Sequence, residues 1–417
     1  MTFVRSCCCS VRIFSISRVS VDWMIRRIYT TFNQKYYPVH NCTPCLLKRK
    51  IFQIRNRPAN TVSPLISEIP SKLYSYQQHA STHHSNQDVH MKQFENSYKL
   101  VEDEFLMLNN DIKKLIYTIH PDLQEIAHYH LDGRGKSLRP MTVMLMAKSC
   151  NFHHIGDSTI LHSQYVIAMI SEMIHIASLM HDDVIDQSDI RRGKPSVKAV
   201  WGERKAVFAG NFILGSASSA LAKLKNEYVI SVISCVIEDL VKGEFMQLGS
   251  KEDETERFNH YLTKSFKKTA SLIANSCKAV AIFGNCCDDI VNTAYLYGRH
   301  IGLAFQLVDD LLDFVACDKT IGKPTAADLR LGLATAPVLF AAQQYPELHP
   351  LIMRRFKHEG DVEKARDLVV KSDGVAHTRL LAEQHAKEAI SMAKKLKHSA
   401  SQQALINLVE FVLHRKK

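Results

Sequence analysis

From about Asp88 to the end of the chain, apolar residues recur at spacings of three and four, the mark of helices that bury one face. The pattern predicts helices over Phe94–Ile119 and Asp122–His130, then a loop from Asp132 to Arg139 that leads into a helix from Pro140 to about Ser149. A long helix follows, capped by Asp157 or Ser158 and running through Ser171 to Ile190. Further helices are predicted over Glu203–Lys225, Tyr228–Leu248, Phe258–Phe283 and Asp288–Ala316. After a loop from Asp318 to Thr325, shorter ones cover Leu333–Gln344, Val362–Lys371, His377–Lys397 and Gln402–His414. No run of alternating polar and apolar residues predicts a strand. The expected fold class is all-α, a large helical bundle around a central cavity.

Residues 1–85 follow no sustained period. Pro58, Pro64 and Pro70 and the polar run Gln77–Gln87 mark a presequence and linker, so the folded, working domain is expected over residues 86–417. Charge is uneven between the two parts. Of the net +11, +10 falls within residues 1–67, where Asp22 is the only acid. The rest of the chain is nearly neutral, which removes the nucleic-acid reading that its overall basicity invites. An Arg- and Ser-containing, acid-poor start interspersed with Val, Ile and Phe is the composition of a mitochondrial transit peptide, which places the protein in the matrix. No apolar run reaches the ~20 residues that span a bilayer, so membrane contact would be peripheral. The eleven cysteines include Cys42-x-x-Cys45, but no second pair or nearby His pair accompanies it, so zinc is not expected.

The chemistry concentrates in the long helix. Asp182, Asp183 and Asp186 sit within one turn of each other in HDDVID, with no cation among them and Arg191-Arg192 just beyond. One such box reads equally as a solvated acidic helix end. A second copy, Asp309, Asp310 and Asp313 in FQLVDDLLDF, repeats the spacing among apolar residues. Two acidic faces across a cavity suit Mg²⁺ ions that clamp a diphosphate, because Mg²⁺ takes carboxylate oxygens and completes its shell with water or phosphate. Cations that could answer the phosphates lie at Lys136 and Arg139 in GKSLRP, at Lys268 in FKKTA and at Lys323 in IGKP. His175 lies seven residues before Asp182 on the same helix face. One turn upstream of Asp182, Ala177 and Ser178 are small; they leave room for a deep channel, or merely allow close helix packing.

GKSLRP, EMIHIASLMHDDVID with RRGKP, GEFMQLGS, FKKTASL, FQLVDDLLDF and GKPTAADLRLGLATAP together resemble the trans-polyprenyl diphosphate synthase family, over about residue 90 to the end. The likeness is greatest to its mitochondrial decaprenyl- or solanesyl-forming branch, which makes the ubiquinone side chain. The resemblance implies an isoprenoid-synthase-type bundle and repeated condensation of isopentenyl diphosphate onto an allylic diphosphate. It implies that Lys136, Arg139, His175 and Arg192 hold isopentenyl diphosphate. Arg191, Lys268, Thr269, Gln306 and Lys323 would hold the allylic diphosphate or its leaving group. Asp182, Asp186 and Asp309 would bind Mg²⁺, with Asp183, Asp310 and Asp313 completing the two boxes, and Ala177 and Ser178 would set chain length. It also implies an oligomer, in one form a heterotetramer with a second synthase subunit. Gln187, Asn211 and Ala336 depart from the family pattern, and Asn211 puts the hydrogen bonding of its helix in doubt. A short-chain synthase and a non-catalytic regulatory subunit are the alternatives. Retention of both boxes speaks against the second.

Overall fold

The computed structural model describes residues 83–131, 138–248, 254–315 and 326–415, all within one compact unit. The expected transit peptide and linker lie outside the described residues, apart from the start of the first helix. Helix α1 (His83–Lys99) is followed by α2 (Glu102–Leu115), where the sequence pattern predicts one continuous helix. The break falls at Val101, which is fully buried, and Glu102, Asp103 and Glu104 then place three acids at the new helix start, where the helix dipole favours them. Phe94 of α1 stacks on Phe411 near the far end of the chain, ring centres 4.1 Å apart.

Helices α3 (Pro121–His128) and α4 (Leu138–Ile155) lead to α5 (His162–Ile185). The start of α5 lies four to five residues after the predicted caps. Asp157 instead closes a local turn onto Thr159. The Gln164 side chain does the capping: its Oε1 accepts the Leu161 N–H at 2.9 Å and an Asn151 N–H at 2.8 Å, and its Nε2 donates to Asn151 Oδ1 and the Val280 carbonyl. A fully buried amide with this many partners fixes where the helix begins. The other end of α5 also departs from expectation. It stops at Ile185, and Gln187 turns left-handed (φ 53°). The next residues form a small antiparallel hairpin, β1 (Ile190–Arg191) and β2 (Lys194–Pro195), with Arg191 opposite Lys194. Its turn is Arg192-Gly193, both at positive φ (53° and 76°), the two-residue geometry that suits strand twist.

Beyond α6 (Val197–Trp201), α7 (Glu203–Lys223) packs along α5. Asn211 is exposed on the outer face of α7, so its amide needs no partner within the bundle. Next come α8 (Glu227–Leu248), α9 (Glu254–Ser265), a wider π turn over Phe266–Ala270, and α10 (Ser271–Phe283). The long α11 (Asp288–Val315) crosses the π turn, and Gly302 permits it: a Cβ there would lie 2.6 Å from Ala270 Cα. The chain closes with α12 (Ala327–Arg330), α13 (Ala336–Gln344), α14 (Leu348–Met353), α15 (Asp361–Lys371), α16 (Gly374–Ala393) and α17 (Ala400–His414). The core runs between α4, α5, α10 and α11, with α16 and α17 against α11. Helix α5 is apolar on nearly every side, as a helix at the centre of a bundle must be, which makes its few polar residues conspicuous.

Candidate active site

His175, Ser178, Asp182 and Asp186 recur at three- and four-residue intervals and so form one stripe along α5. Arg139, at the start of α4, donates from Nη1 to His175 Nε2 at 3.0 Å, and Arg192, from the hairpin turn, reaches the same nitrogen at 3.4 Å. Burial and the two guanidiniums hold the His175 imidazole well below its usual range. It is therefore neutral, with Nε2 accepting and the ring proton on Nδ1. Thus three of the four residues expected at the isopentenyl diphosphate site converge. The fourth, Lys136, lies outside the described residues, as does Lys323. Beside them sits a residue the sequence reading passed over. Glu172, one turn below His175, is only 4 % exposed and has Oε2 buried without a hydrogen-bond partner. Burial pushes its carboxyl up, against the pull of Arg139 and Arg192.

The first acidic box divides. Asp183 is completely buried and accepts from Arg191 Nε at 2.8 Å and Nη2 at 2.5 Å. This corrects the picture of three unpaired carboxylates on one face with no cation among them: the hairpin folds Arg191 back onto Asp183 Oδ1. Asp182 and Asp186 remain on the cavity side. Burial pushes Asp182 up to about 7, opposed by Lys268 and reinforced by Glu244 and Asp186; Asp186 is raised too, again chiefly by burial.

Lys268 projects from the π turn, a helix irregularity that recurs at functional sites. Gly243 makes room for its stem, since a Cβ there would lie 2.6 Å from Lys268 Cγ. Its ammonium pairs with Glu244 and donates to Gln247 Oε1 at 2.9 Å. Thr269 donates to Gln306 Oε1 at 2.7 Å, and Gln306 Nε2 donates to Asp310 Oδ1 at 2.8 Å. Tyr261 donates to the other oxygen of Asp310.

The second box divides in the same way. Asp310 is 2 % exposed and held by these donors; burial pushes it up to about 6. Asp313 accepts the backbone N–H groups of Ala327 (3.0 Å) and Asp328 (3.1 Å), capping α12. Both were expected to complete the second box as metal ligands; here these donors already hold them. Asp309 alone is exposed, and Arg415, beyond α17, donates to it at 2.9 Å.

Among the described residues no three His, Cys, Asp or Glu side chains form a ready metal cage. Asp182 and Asp186 nevertheless suit a hard divalent cation: two crowded, desolvated carboxylates whose nearest ammonium already serves Glu244. Mg²⁺ is commonly held in this way, through one or two carboxylates with phosphate and water completing the shell. Ala177 is fully buried and Ser178 half-buried; Ser178 donates to the His175 carbonyl at 2.9 Å.

A helical bundle whose central helix carries an acidic pair and a histidine that gathers two guanidiniums from neighbouring elements is the arrangement expected of a diphosphate-handling transferase, and comparison with known proteins agrees. Residues 120–369, more than half of the chain, match the family model Polyprenyl synthetase. The chain is 52% identical over 359 residues to the all trans-polyprenyl-diphosphate synthase PDSS1 of Homo sapiens, covering 86% of each. It is 42% identical over 347 residues to decaprenyl-diphosphate synthase subunit 1 of Schizosaccharomyces pombe, covering 77% of this chain and 92% of that one. Among solved structures, a polyprenyl synthase of Caulobacter crescentus, complexed with calcium and isoprenyl diphosphate, superimposes with a TM-score of 0.70 at 28% identity, covering 78% of this chain and 98% of that one. A decaprenyl diphosphate synthase of Rhodobacter capsulatus gives 0.70 at 28% identity, covering 78% and 99%. The chain belongs to the polyprenyl synthetase family. It is a trans-polyprenyl diphosphate synthase, a long-chain prenyltransferase with the all-α isoprenoid-synthase fold.

Proposed function

We propose that this enzyme repeatedly joins isopentenyl diphosphate head-to-tail to an allylic diphosphate, in the mitochondrial matrix, to make the nona- or decaprenyl side-chain precursor of ubiquinone. The observation that carries the reading is the α5 stripe. His175, which gathers Arg139 and Arg192, lies about 10 Å along the helix axis from Asp182. Two anion-recognition centres are thereby set side by side, one built from guanidiniums and one from carboxylates that need a cation.

In this reading Arg139, Arg192 and Lys136 bind the diphosphate of isopentenyl diphosphate, with neutral His175 fixing the two guanidiniums. Mg²⁺ on Asp182, Asp186 and Asp309 would neutralise the charge that develops on the departing diphosphate. Lys268 brings ammonium charge to the same oxygens, a role the family likeness also gives Lys323, while Thr269 and Gln306 fix the α11 wall beside Lys268. The buried apolar surface around α5 keeps water from the allylic cation. The isopentenyl double bond attacks that cation, and the proton lost afterwards passes to the departing diphosphate. Arg191, locked on Asp183, orients the hairpin that delivers Arg192.

The enzyme acts in an oligomer, a heterotetramer with a second synthase subunit. The fission-yeast relative, named as a subunit 1, supports this. No helix among the described residues is long and apolar enough to cross a membrane. The deciding measurement is chromatographic sizing of the product made by purified protein from farnesyl and isopentenyl diphosphates, with and without a candidate partner subunit. Products of nine or ten units are expected, and products that stop at three or four would make this a short-chain synthase. A fluorescent protein fused after residue 67 is expected in mitochondria; retention in the cytosol would refute the location.

A further inference from the structure

Two strands of two residues do not hold a hairpin by themselves. This one nevertheless keeps Arg192 at φ 53°, a left-handed conformation that a residue with a side chain takes only where its surroundings impose it. The neck of the hairpin is closed by Ser196, whose N–H donates to the Asp189 carbonyl at 2.8 Å and whose Oγ donates to the Ser188 carbonyl at 2.7 Å. The first strand is tied to Asp183 through Arg191. The second strand is tied to a residue that no site expectation included. Tyr129, directly after α3, donates from its hydroxyl to the Pro195 carbonyl at 3.0 Å. The Lys194 ammonium lies 3.8 Å over the centre of the same ring and donates to the Tyr129 carbonyl. Trp201, at the end of α6, meets that ring edge-on, with centres 4.9 Å apart.

Tyr129 is a fixed post. Ile126, Ala127 and Leu131 around it are buried in the hydrophobic core, and the N–H groups of Tyr129 and Leu131 donate back to the Ile126 and His128 carbonyls. Its grip falls on Lys194 and Pro195, the two residues that follow the Arg192-Gly193 turn. We propose that Tyr129 is a positioning residue for isopentenyl diphosphate: by holding the second strand it sets where the Arg192 guanidinium meets His175. The proposal rests on the reading of Arg192 as part of the isopentenyl diphosphate site. A guanidinium grips phosphate through a rigid fork, so its position matters more than its charge alone. A misplacement of about 1 Å can cost up to ~10²-fold. Asp182 and Asp186 stand on the α5 stripe and not on the hairpin, so the allylic side is spared.

The test is steady-state kinetics of the full chain with farnesyl and isopentenyl diphosphates at saturating Mg²⁺, on Tyr129→Phe, Arg192→Gln and the double variant. Tyr129→Phe keeps the ring and its contact with Trp201 and removes the hydroxyl. It should raise the KM for isopentenyl diphosphate about three- to tenfold, the range of one lost hydrogen bond. The kcat and the KM for farnesyl diphosphate should stay within about twofold. In the Arg192→Gln background the same change should move the isopentenyl KM by less than about twofold, because the residue it positions is gone. An equal rise in both backgrounds, a rise shared by both substrates, or no rise at all overturns the proposal while leaving the site reading intact. An isopentenyl KM that Arg192→Gln itself leaves unchanged overturns the site reading and the proposal with it.

Discussion

Arg415 donates to Asp309 across 106 residues of chain, Nη2 to Oδ1 at 2.9 Å. The same nitrogen donates to the Phe305 carbonyl, and the guanidinium lies 3.8 Å over the Phe305 ring. The one exposed acid of the second box is thus covered by the last described residue of the chain. A cation that seeks Asp309 must displace Arg415 or share its oxygens. Arg415→Gln is therefore expected to bind Mg²⁺ more tightly in the absence of substrate. A half-exposed ion pair contributes ~0.2–1 kcal/mol, so the gain should be about 1.4- to fivefold. Titration calorimetry with MgCl₂ measures it, and an unchanged or weaker affinity would mean that Arg415 does not compete for the site.

In the proposed site the first box makes Mg²⁺ binding depend on pH. Asp182 has an ordinary carboxyl value of 3.8 and is raised to about 7, first by burial. Without metal, the folded protein keeps a proton that the unfolded chain has released. Stability present below pH 3.8 is accordingly lost as pH rises toward about 7. In EDTA the denaturation midpoint should fall between pH 5 and pH 7.5, and Asp182→Asn should flatten that slope. Metal binding has the opposite sign, because the ligand must be deprotonated. Below pH 7 the Mg²⁺ affinity of the wild type should drop about tenfold per unit. Mg²⁺ affinity that is constant from pH 5.5 to 8 would exclude Asp182 as a ligand.

Glu172 explains how Arg139 and Arg192 stay together before substrate arrives. Two guanidiniums that converge on a neutral imidazole repel each other, and Glu172 is the buried carboxyl beside both. Glu172→Gln keeps the shape and removes the charge. At pH 8 it should cost ~1–3 kcal/mol in chemical denaturation, the range for a buried charged group losing its partner. Isopentenyl diphosphate supplies the missing negative charge, so it should raise the melting temperature of Glu172→Gln more than that of the wild type. Equal ligand shifts in the two proteins would leave Glu172 a packing residue only.

The helices and the α5 stripe were legible in the sequence because both are periodic: apolar residues recur at helical spacing, and His175, Asp182 and Asp186 share that spacing. What escaped is non-local. Strands of two residues, as at Ile190–Arg191, cannot show alternation, so nothing betrayed the hairpin that turns Arg191 back onto Asp183. The π turn at Phe266–Ala270 leaves the apolar period of its neighbours nearly undisturbed. Arg415 meets Asp309 only through the whole fold. Glu172 carried a signal, as a lone acid inside the apolar run of α5, and a search for such residues would have found it. Asp313 in its capping role had none, since it follows the same DDxxD spacing as Asp186 but meets the N-terminus of α12.

Product length separates Ala177 from Ser178. The two lie next to each other, one turn below Asp182, and the sequence gives either as a channel residue. The structure distinguishes their surroundings. Ala177 is fully buried within the hydrophobic core, whereas Ser178 is half-buried on the stripe that carries His175 and Asp182. A ring added at Ser178 would stand directly beneath the acidic pair, in the path of a chain growing away from it. Ser178→Phe is expected to fold, to carry out the first condensations and to stop at short products. Ala177→Phe instead adds a ring to a closed core and should lose ~1–3 kcal/mol of stability by overpacking. Its residual activity should still yield full-length product. Thin-layer sizing of products alongside denaturant titration of both variants decides the matter. Short products from Ala177→Phe at wild-type stability, with long ones from Ser178→Phe, would place the growing chain on the other side of α5.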